Sequence, residues 1–428
     1  MKKKDTFQFQ IPEKLIDKIR ETEKTPPKIP GFKSSNLMEL IHLVCTRIID
    51  TGYSQLKMKY LKKIVPTADQ YIHFLLKEKI IQRDGQYIPK SKAYGYRINP
   101  KYQSKLISIQ NNDAKLLRRI RSINSFSKSG GSLTKKWIQN FSINPAALTF
   151  AENNFINSKS LNYAIAAIHK IMNEEKFLKI DTTAGRLHTN ITNLPKELRQ
   201  FIIASKGQKL IANIDIKNSQ PYFSTLIFTD PQKIAEYAKG KNLHMILKTL
   251  QAQLNEDVKQ YINLVCEGKF YEYLVTEFDK RGLNFDRDQV KKSVMLILFD
   301  ANCHMFKERK IFAELFPTVH ATFNLIRGNS KGDHFTSFKR FSILLQAIEA
   351  HTVLNIIHRR IIKEHPDIIT FTVHDSILTT SAPELIRDIM TEELTKFCGR
   401  KPILKIEKLI NNETKDRRIN RKKEKGKQ

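Results

Sequence analysis

Two short stretches decide how this chain reads: Lys209–Phe223, KLIANIDIKNSQPYF, and Ile368–Thr380, IITFTVHDSILTT. In the first, the β-like run LIANI ends on Asp215. In the second, Asp375 sits at a turn between two β-like runs, ITFTV and SILTT. An acid at a strand end and another at a hairpin turn can lie side by side in one sheet. Adjacent carboxylates repel each other, and divalent cations relieve that repulsion. Two-metal phosphoryl transfer needs such a pair. Taken singly, each acid reads as an ordinary turn or surface Asp; the pair carries the expectation.

The composition around these stretches narrows the partners. The chain has 428 residues, enough for two or three domains. Lys and Arg number 74 against 43 Asp and Glu, a formal net charge of +31. That excess points to a polyanion, with nucleic acid ahead of an anionic membrane surface, since no long basic amphipathic helix stands out. A hydrophobic fraction of 40% excludes wholesale disorder. The N-terminal MKKKDTFQFQIPEK has no apolar stretch of the signal-peptide kind, and no run approaches the roughly 18 apolar residues of a membrane span. Cys45, Cys266, Cys303 and Cys398 are scattered, with no CxxC and no zinc spacing; Cys303-His304 reads as packing. A cytoplasmic protein without membrane or structural metal is expected.

The N-terminal part shows helical periodicity over Asn36–Asp50, Leu56–Ile64 and Thr67–Glu78. Two short alternating runs follow, KIIQRDGQYI and AYGYRI, the first with a turn signal at Asp84-Gly85. Three helices and a small hairpin outline a winged helix, as against any other small α+β domain. Its basic, tyrosine-bearing wing would place Lys90, Lys92 and Arg97 against DNA. A polar, basic stretch with Gly130-Gly131 reads as a linker over 104–135, and the charged tail 412–428 reads as disordered.

Further segments stand in order around the two acids. Thr183-Ala184-Gly185-Arg186-Leu187 and Asn193-Leu194-Pro195 lie upstream. Arg287 and Lys291, four apart on one helical face, and Phe299, eight beyond Lys291, lie between the acids. ILLQAIEAHTVLNII follows, an apolar helix interrupted by Gln346 and Glu349, and then His374-Asp375-Ser376. This order resembles the family A polymerases, which include bacterial and phage DNA polymerases and the single-subunit phage-type RNA polymerases. TAGRL and NLP are similar to the family's thumb–palm junction, Asp215 to motif A, Arg287, Lys291 and Phe299 to motif B, and His374-Asp375-Ser376 to motif C. The resemblance covers about residues 180–385. It departs where Asp300 follows Phe299 in place of Gly, and where Ser376 replaces the Glu of most family DNA polymerases.

The resemblance implies an α+β right-hand architecture over 136–411: thumb about 136–180, palm about 181–230 and 346–411, fingers about 231–345, behind a winged-helix-like domain over 1–103. It implies that Asp215 and Asp375 hold two Mg²⁺ ions, for which Mn²⁺ can substitute, and that Lys291 protonates the leaving pyrophosphate. Arg287, Lys291, Phe299 and Gln220 would bind the nucleotide, with Gln220 where family DNA polymerases carry a Glu that crowds the sugar 2′ position. Arg186, Gln346 and His374 would hold the primer–template. Glu349 reads equally as a partly exposed helix edge. The implied activity is primer extension with dNTPs, without a proofreading domain and with a processivity or initiator partner, for a phage, plasmid or mobile element. An RNA polymerase or primase of the same fold, and a noncatalytic DNA-binding initiator or regulator, are the alternatives.

Overall fold

A computed structural model describes residues 7–47, 52–85, 87–88, 93–123, 132–252, 254–300, 305–328 and 339–409. The chain divides into two compact units, one of residues 1–179 and 189–209, the other of 180–188 and 210–428.

The first unit is built on helix Ser34–Thr46, whose Leu37, Leu40, Ile41 and Val44 are buried in its core. Strand Ser54–Gln55, helices Met58–Ile64 and Ala68–Lys77, and strands Ile81–Arg83 and Gly95–Ile98 follow, the last strand central in a three-stranded sheet. Gly95 admits no side chain there: a Cβ would stand 2.6 Å from the Asp84 carboxylate and 2.9 Å from Tyr53. The Gly95 N–H donates to Asp84 Oδ1 at 3.0 Å, so both hairpin arms are fixed.

The stretch expected as a linker, 104–135, belongs to this core in its described part. Leu106–Asn111 is a strand paired antiparallel with Phe7–Pro12, from Phe7 opposite Asn111 to Pro12 opposite Leu106. Helix Ala114–Ile123 then buries Leu116, Leu117 and Ile120. Asp113 starts that helix by accepting from the backbone N–H groups of Lys115 and Leu116, each at 3.0 Å. The boundary expected at 103 is therefore corrected. Helices Ala146–Asn154 and Ser158–Met172 fall in the same unit up to residue 179. Asn173 fastens this segment by accepting from Gln8 N at 3.0 Å and donating to Gln8 O at 2.9 Å.

The second unit holds a four-stranded antiparallel sheet, in the order Thr370–Val373, Ser376–Thr379, Ala212–Ile216, Leu404–Lys408. Helix Pro383–Cys398 packs on the sheet. The stretch between Ile216 and Thr370 carries helices and no strand among its described residues, and shares one core rich in Tyr261, Phe270, Phe312, Phe316 and Phe323. Its last helix, Lys339–Glu364, is long and apolar enough to cross a membrane by length and composition. Here Phe341, Leu344, Ile348, Val353 and Ile357 of that helix are spent on the core. Its middle, His351–His358, is wound as a π-helix, a rare form frequent at functional sites.

Candidate active site

The sheet register assembles the site. Along Ala212–Ile216 the side chains alternate, so Ala212, Ile214 and Ile216 face one way and Asn213 and Asp215 the other. Asp215 lies opposite Ser376 on one side and Lys405 on the other. Asp375 immediately precedes Ser376, so the two acids sit at the same end of the sheet on adjacent chain segments. Val373 pairs with Ser376, which leaves His374 and Asp375 as a two-residue turn. His374 adopts φ +55°, a left-handed conformation that disfavours a side chain. Such strain persists where the surroundings impose it, and it concentrates at functional sites.

Beyond Asp215 the chain turns through Asn218, also left-handed at φ +58°, into the buried helix Ser219–Ser224. Both amide atoms of Asn218 are buried without a partner among the described residues. Ser219 and Gln220 then meet Glu349 from the long helix. Glu349 is 1% exposed. Its Oε1 accepts from Arg186 Nη2 at 2.5 Å, and its Oε2 accepts from Ser219 Oγ at 3.1 Å and Gln220 Nε2 at 2.5 Å. Burial pushes the Glu349 carboxyl up, the charge of Asp375 adds to this, and Arg186 opposes both. Asp375 is likewise raised by burial; the Ser219 hydroxyl and the charges of Arg186 and Lys291 offset that only in part.

A tight turn presents Arg186. The Asp181 carboxylate accepts from the N–H groups of Thr183 at 2.7 Å, Ala184 at 2.6 Å and Arg186 at 2.9 Å. Gly185, at φ +72°, supplies the conformation that this wrapping requires. Burial raises the Asp181 carboxyl, but these bonds outweigh it and hold the group below its ordinary value. His188 follows, with its ring 6.2 Å from that of His374 in an edge-on arrangement.

Lys291 is exposed on helix Arg287–Phe299, and its charge reaches Asp375. The helix opens on a capping box in which Asp286 and Gln289 bond reciprocally at 2.8 Å. It closes on two fully buried arginines. Arg309 donates to Leu296 O at 3.0 Å and Asp300 O at 3.2 Å, and Arg327 donates to Ile297 O at 2.5 Å and Asp300 O at 3.2 Å. These satisfy the orphan carbonyls of the last turn and set cations at the negative end of the helix dipole.

The residues singled out from sequence thus fall into three groups. Asp215, Asp375, Arg186, Gln220, His374 and Lys291 gather around one end of the sheet. Arg287, Phe299 and Gln346 lie on neighbouring helices, the first two with other engagements. Arg287 pairs with Glu272 at 2.9 Å and lies 5.3 Å from the Tyr271 ring, and Phe299 packs half-buried against the core. Gln346 is half-buried one turn before Glu349. Arg97 belongs to the other unit, where its guanidinium donates to Gln82 at 2.9 Å and covers Tyr53 at 4.8 Å. Lys90 and Lys92 lie outside the described residues. Sequence reasoning left Glu349 undecided and passed over Ser219, Arg309 and Arg327. Glu349 is a buried hub and not a helix edge, a correction that follows from its three donors.

As cation ligands, Asp215 and Asp375 offer hard carboxylate oxygens of the kind Mg²⁺ takes, one or two per ion, with phosphate oxygens completing the shell. The nearby Glu349 is a poor third ligand because both of its oxygens are already bonded. Among the described residues no group of three or more His, Cys, Asp or Glu side chains forms a metal cluster.

No protein-family description and no curated protein matches the sequence. Among solved structures, the chain is similar to the POL domain of Pol1 from M. smegmatis in complex with DNA primer-template and dNTP. The identity is 10% and the TM-score 0.31, over 92% of this chain and 71% of that one, a likeness too distant to assign a fold.

Proposed function

We propose that the second unit is a template-directed nucleotidyltransferase, a DNA polymerase of the family A type that extends a primer 3′-hydroxyl with dNTPs. The observation that carries this reading is the register that sets Asp215 opposite Ser376 and hence beside Asp375. In this reading the two carboxylates hold Mg²⁺, or Mn²⁺ in its place, together with the phosphates of the substrate. When bound, the ions lower the pKa of the attacking hydroxyl and neutralise charge on the α-phosphate. Lys291 and Arg287 orient the triphosphate, and Lys291 donates a proton to the departing pyrophosphate. Arg186 and Gln346 donate to the minor-groove acceptors that every base pair presents, and His374 meets the primer terminus. Gln220 crowds the 2′ side of the sugar, and Phe299 stacks on the incoming nucleotide. In the first unit, the helix–strand–helix–helix–hairpin order supports a winged-helix-like head that holds duplex backbone through Lys90, Lys92 and Arg97.

The test is extension of a labelled primer on a template with Mg²⁺, comparing dNTPs with NTPs in the parent chain, Asp215→Asn and Asp375→Asn. Templated dNTP extension that both substitutions abolish, with DNA binding retained, is the expected result. Extension with NTPs alone would move the chain to the RNA-synthesising branch. DNA binding with no extension under either metal would replace the reading with a noncatalytic initiator.

A further inference from the structure

The first unit contains a cavity of about 660 Å³ between helices Met58–Ile64 and Ala68–Lys77 and the hairpin that follows them. Its floor is apolar, from Leu56 and Ile72. One wall is aromatic: the rings of Tyr87 and Tyr94 lie 5.2 Å apart at 31°, and the Arg83 guanidinium covers Tyr94 at 4.4 Å. Tyr87 nevertheless keeps 56% of its surface exposed, and its neighbour Ile88 keeps 54%. Lys57, Lys59 and His73 line the same cavity. Its one acid, Asp69, is paired with Lys62 at 2.9 Å.

We infer that this cavity takes an unpaired base of a single-stranded nucleic acid, stacked against Tyr87, with the adjoining phosphates held by Lys57, Lys59 and Arg83. Three features select this occupant. An apolar floor, a half-exposed tyrosine and a volume well within the range of ligand pockets suit a flat heterocycle. Duplex DNA hides the faces of its bases, so an exposed ring beside a cavity gives duplex recognition nothing, whereas a single strand offers a π-face at every base. A neutral apolar ligand would have no use for the cations, and a net charge of +31 already commits the chain to polyanions. The inference goes beyond the proposed polymerase activity and does not need it: a chain that binds but does not extend could use the same cavity.

The test measures binding of the full chain at one fixed salt concentration, by fluorescence anisotropy. The probes are a labelled 12-nucleotide single strand, the same strand made abasic, and a blunt duplex. Tyr87→Ala should weaken single-strand binding roughly 5-fold or more, the loss expected for one stacked base, and leave duplex affinity within about twofold. Tyr87→Phe should restore single-strand binding. The abasic strand should bind the parent chain more weakly and be insensitive to Tyr87→Ala. The exposure of Tyr87 makes a folding defect avoidable, and an unchanged thermal melt verifies this; Arg83→Gln provides a second variant, expected to weaken the single strand through lost phosphate contact. Single-strand affinity unchanged by Tyr87→Ala, an equal loss for strand and duplex, or equal binding of abasic and intact strands would each overturn the inference.

Discussion

Replacing Glu349 by Gln tests whether the hub is held neutral or charged. The carboxyl is raised from its ordinary 4.5 to about 7, by burial first and the charge of Asp375 second. At about 1.4 kcal/mol for each factor of ten, ionising Glu349 costs the folded chain about 3 kcal/mol more than the unfolded one. The sign follows from a folded pKa above the unfolded value. The stabilising contribution is complete below pH 4.5 and is lost as pH rises through 7. Glutamine has no such titration and nearly the same shape. It can keep its carbonyl toward Arg186 and turn its amide toward Gln220, whose Oε1 is buried without a partner and can accept after a flip. Urea unfolding of both chains between pH 5 and pH 8 should therefore show the parent losing about 2.5 kcal/mol relative to Glu349→Gln over that interval. Glu349→Ala should be worse than Gln at every pH, by about 3 kcal/mol, since it strands Arg186, Ser219 and Gln220 together. A parent-minus-Gln difference that stays flat, or grows as pH rises, would mean that Arg186 outweighs burial and Glu349 is ionised throughout; the account of a neutral hub would then be refuted.

Three further outcomes follow from the same geometry. Gln220→Ala removes the 2.5 Å donor to Glu349 and opens the space beside the proposed sugar site, so extension assays should show a lower preference for dNTPs over NTPs; an unchanged ratio removes Gln220 from sugar selection. Arg327→Met leaves the carbonyl of Ile297 without its buried donor and that of Asp300 with Arg309 alone, and should destabilise the chain by about 3 kcal/mol, read as a lower urea midpoint. Mg²⁺ should raise the melting temperature of the parent chain and not of Asp215→Asn or Asp375→Asn, because a cation relieves carboxylate repulsion only where both carboxylates remain; equal shifts in all three would separate the acids from metal binding.

Local pattern made the acidic end of the sheet legible, and long-range pairing hid the domain division. ITFTV-HD-SILTT leaves only two residues between two strands, so the turn position of Asp375 is forced by the sequence itself. Asp215 follows an alternating run and needed only to be laid beside that hairpin. The supposed linker failed for the opposite reason. Leu106–Asn111 alternates weakly, and its partner, Phe7–Pro12, lies about a hundred residues earlier, where no local signal can announce it. The bonds that fasten the segment ending at Asn173 are equally long-range, running back to Gln8.

Glu349 shows how much further a physical reading of the sequence could have gone. An acid in the middle of an apolar helix either lies at an edge or is buried with donors, since an unpartnered buried carboxylate costs several kcal/mol. The residues flanking Glu349 on its face, Leu345 and Val353 among them, belong to the buried core, which excludes the edge. A buried acid requires donors, and a cation among them must come from a segment rigid enough to reach inward. Arg186, in a glycine-containing turn wrapped on Asp181, is such a segment, although it stands 163 residues upstream. Arg309 and Arg327 give no comparable warning. Each lies on an amphipathic helix in a chain with 74 Lys and Arg, where a basic residue ordinarily means a solvated face. Only the folded position of the helix end they close distinguishes them from the cations on the surface.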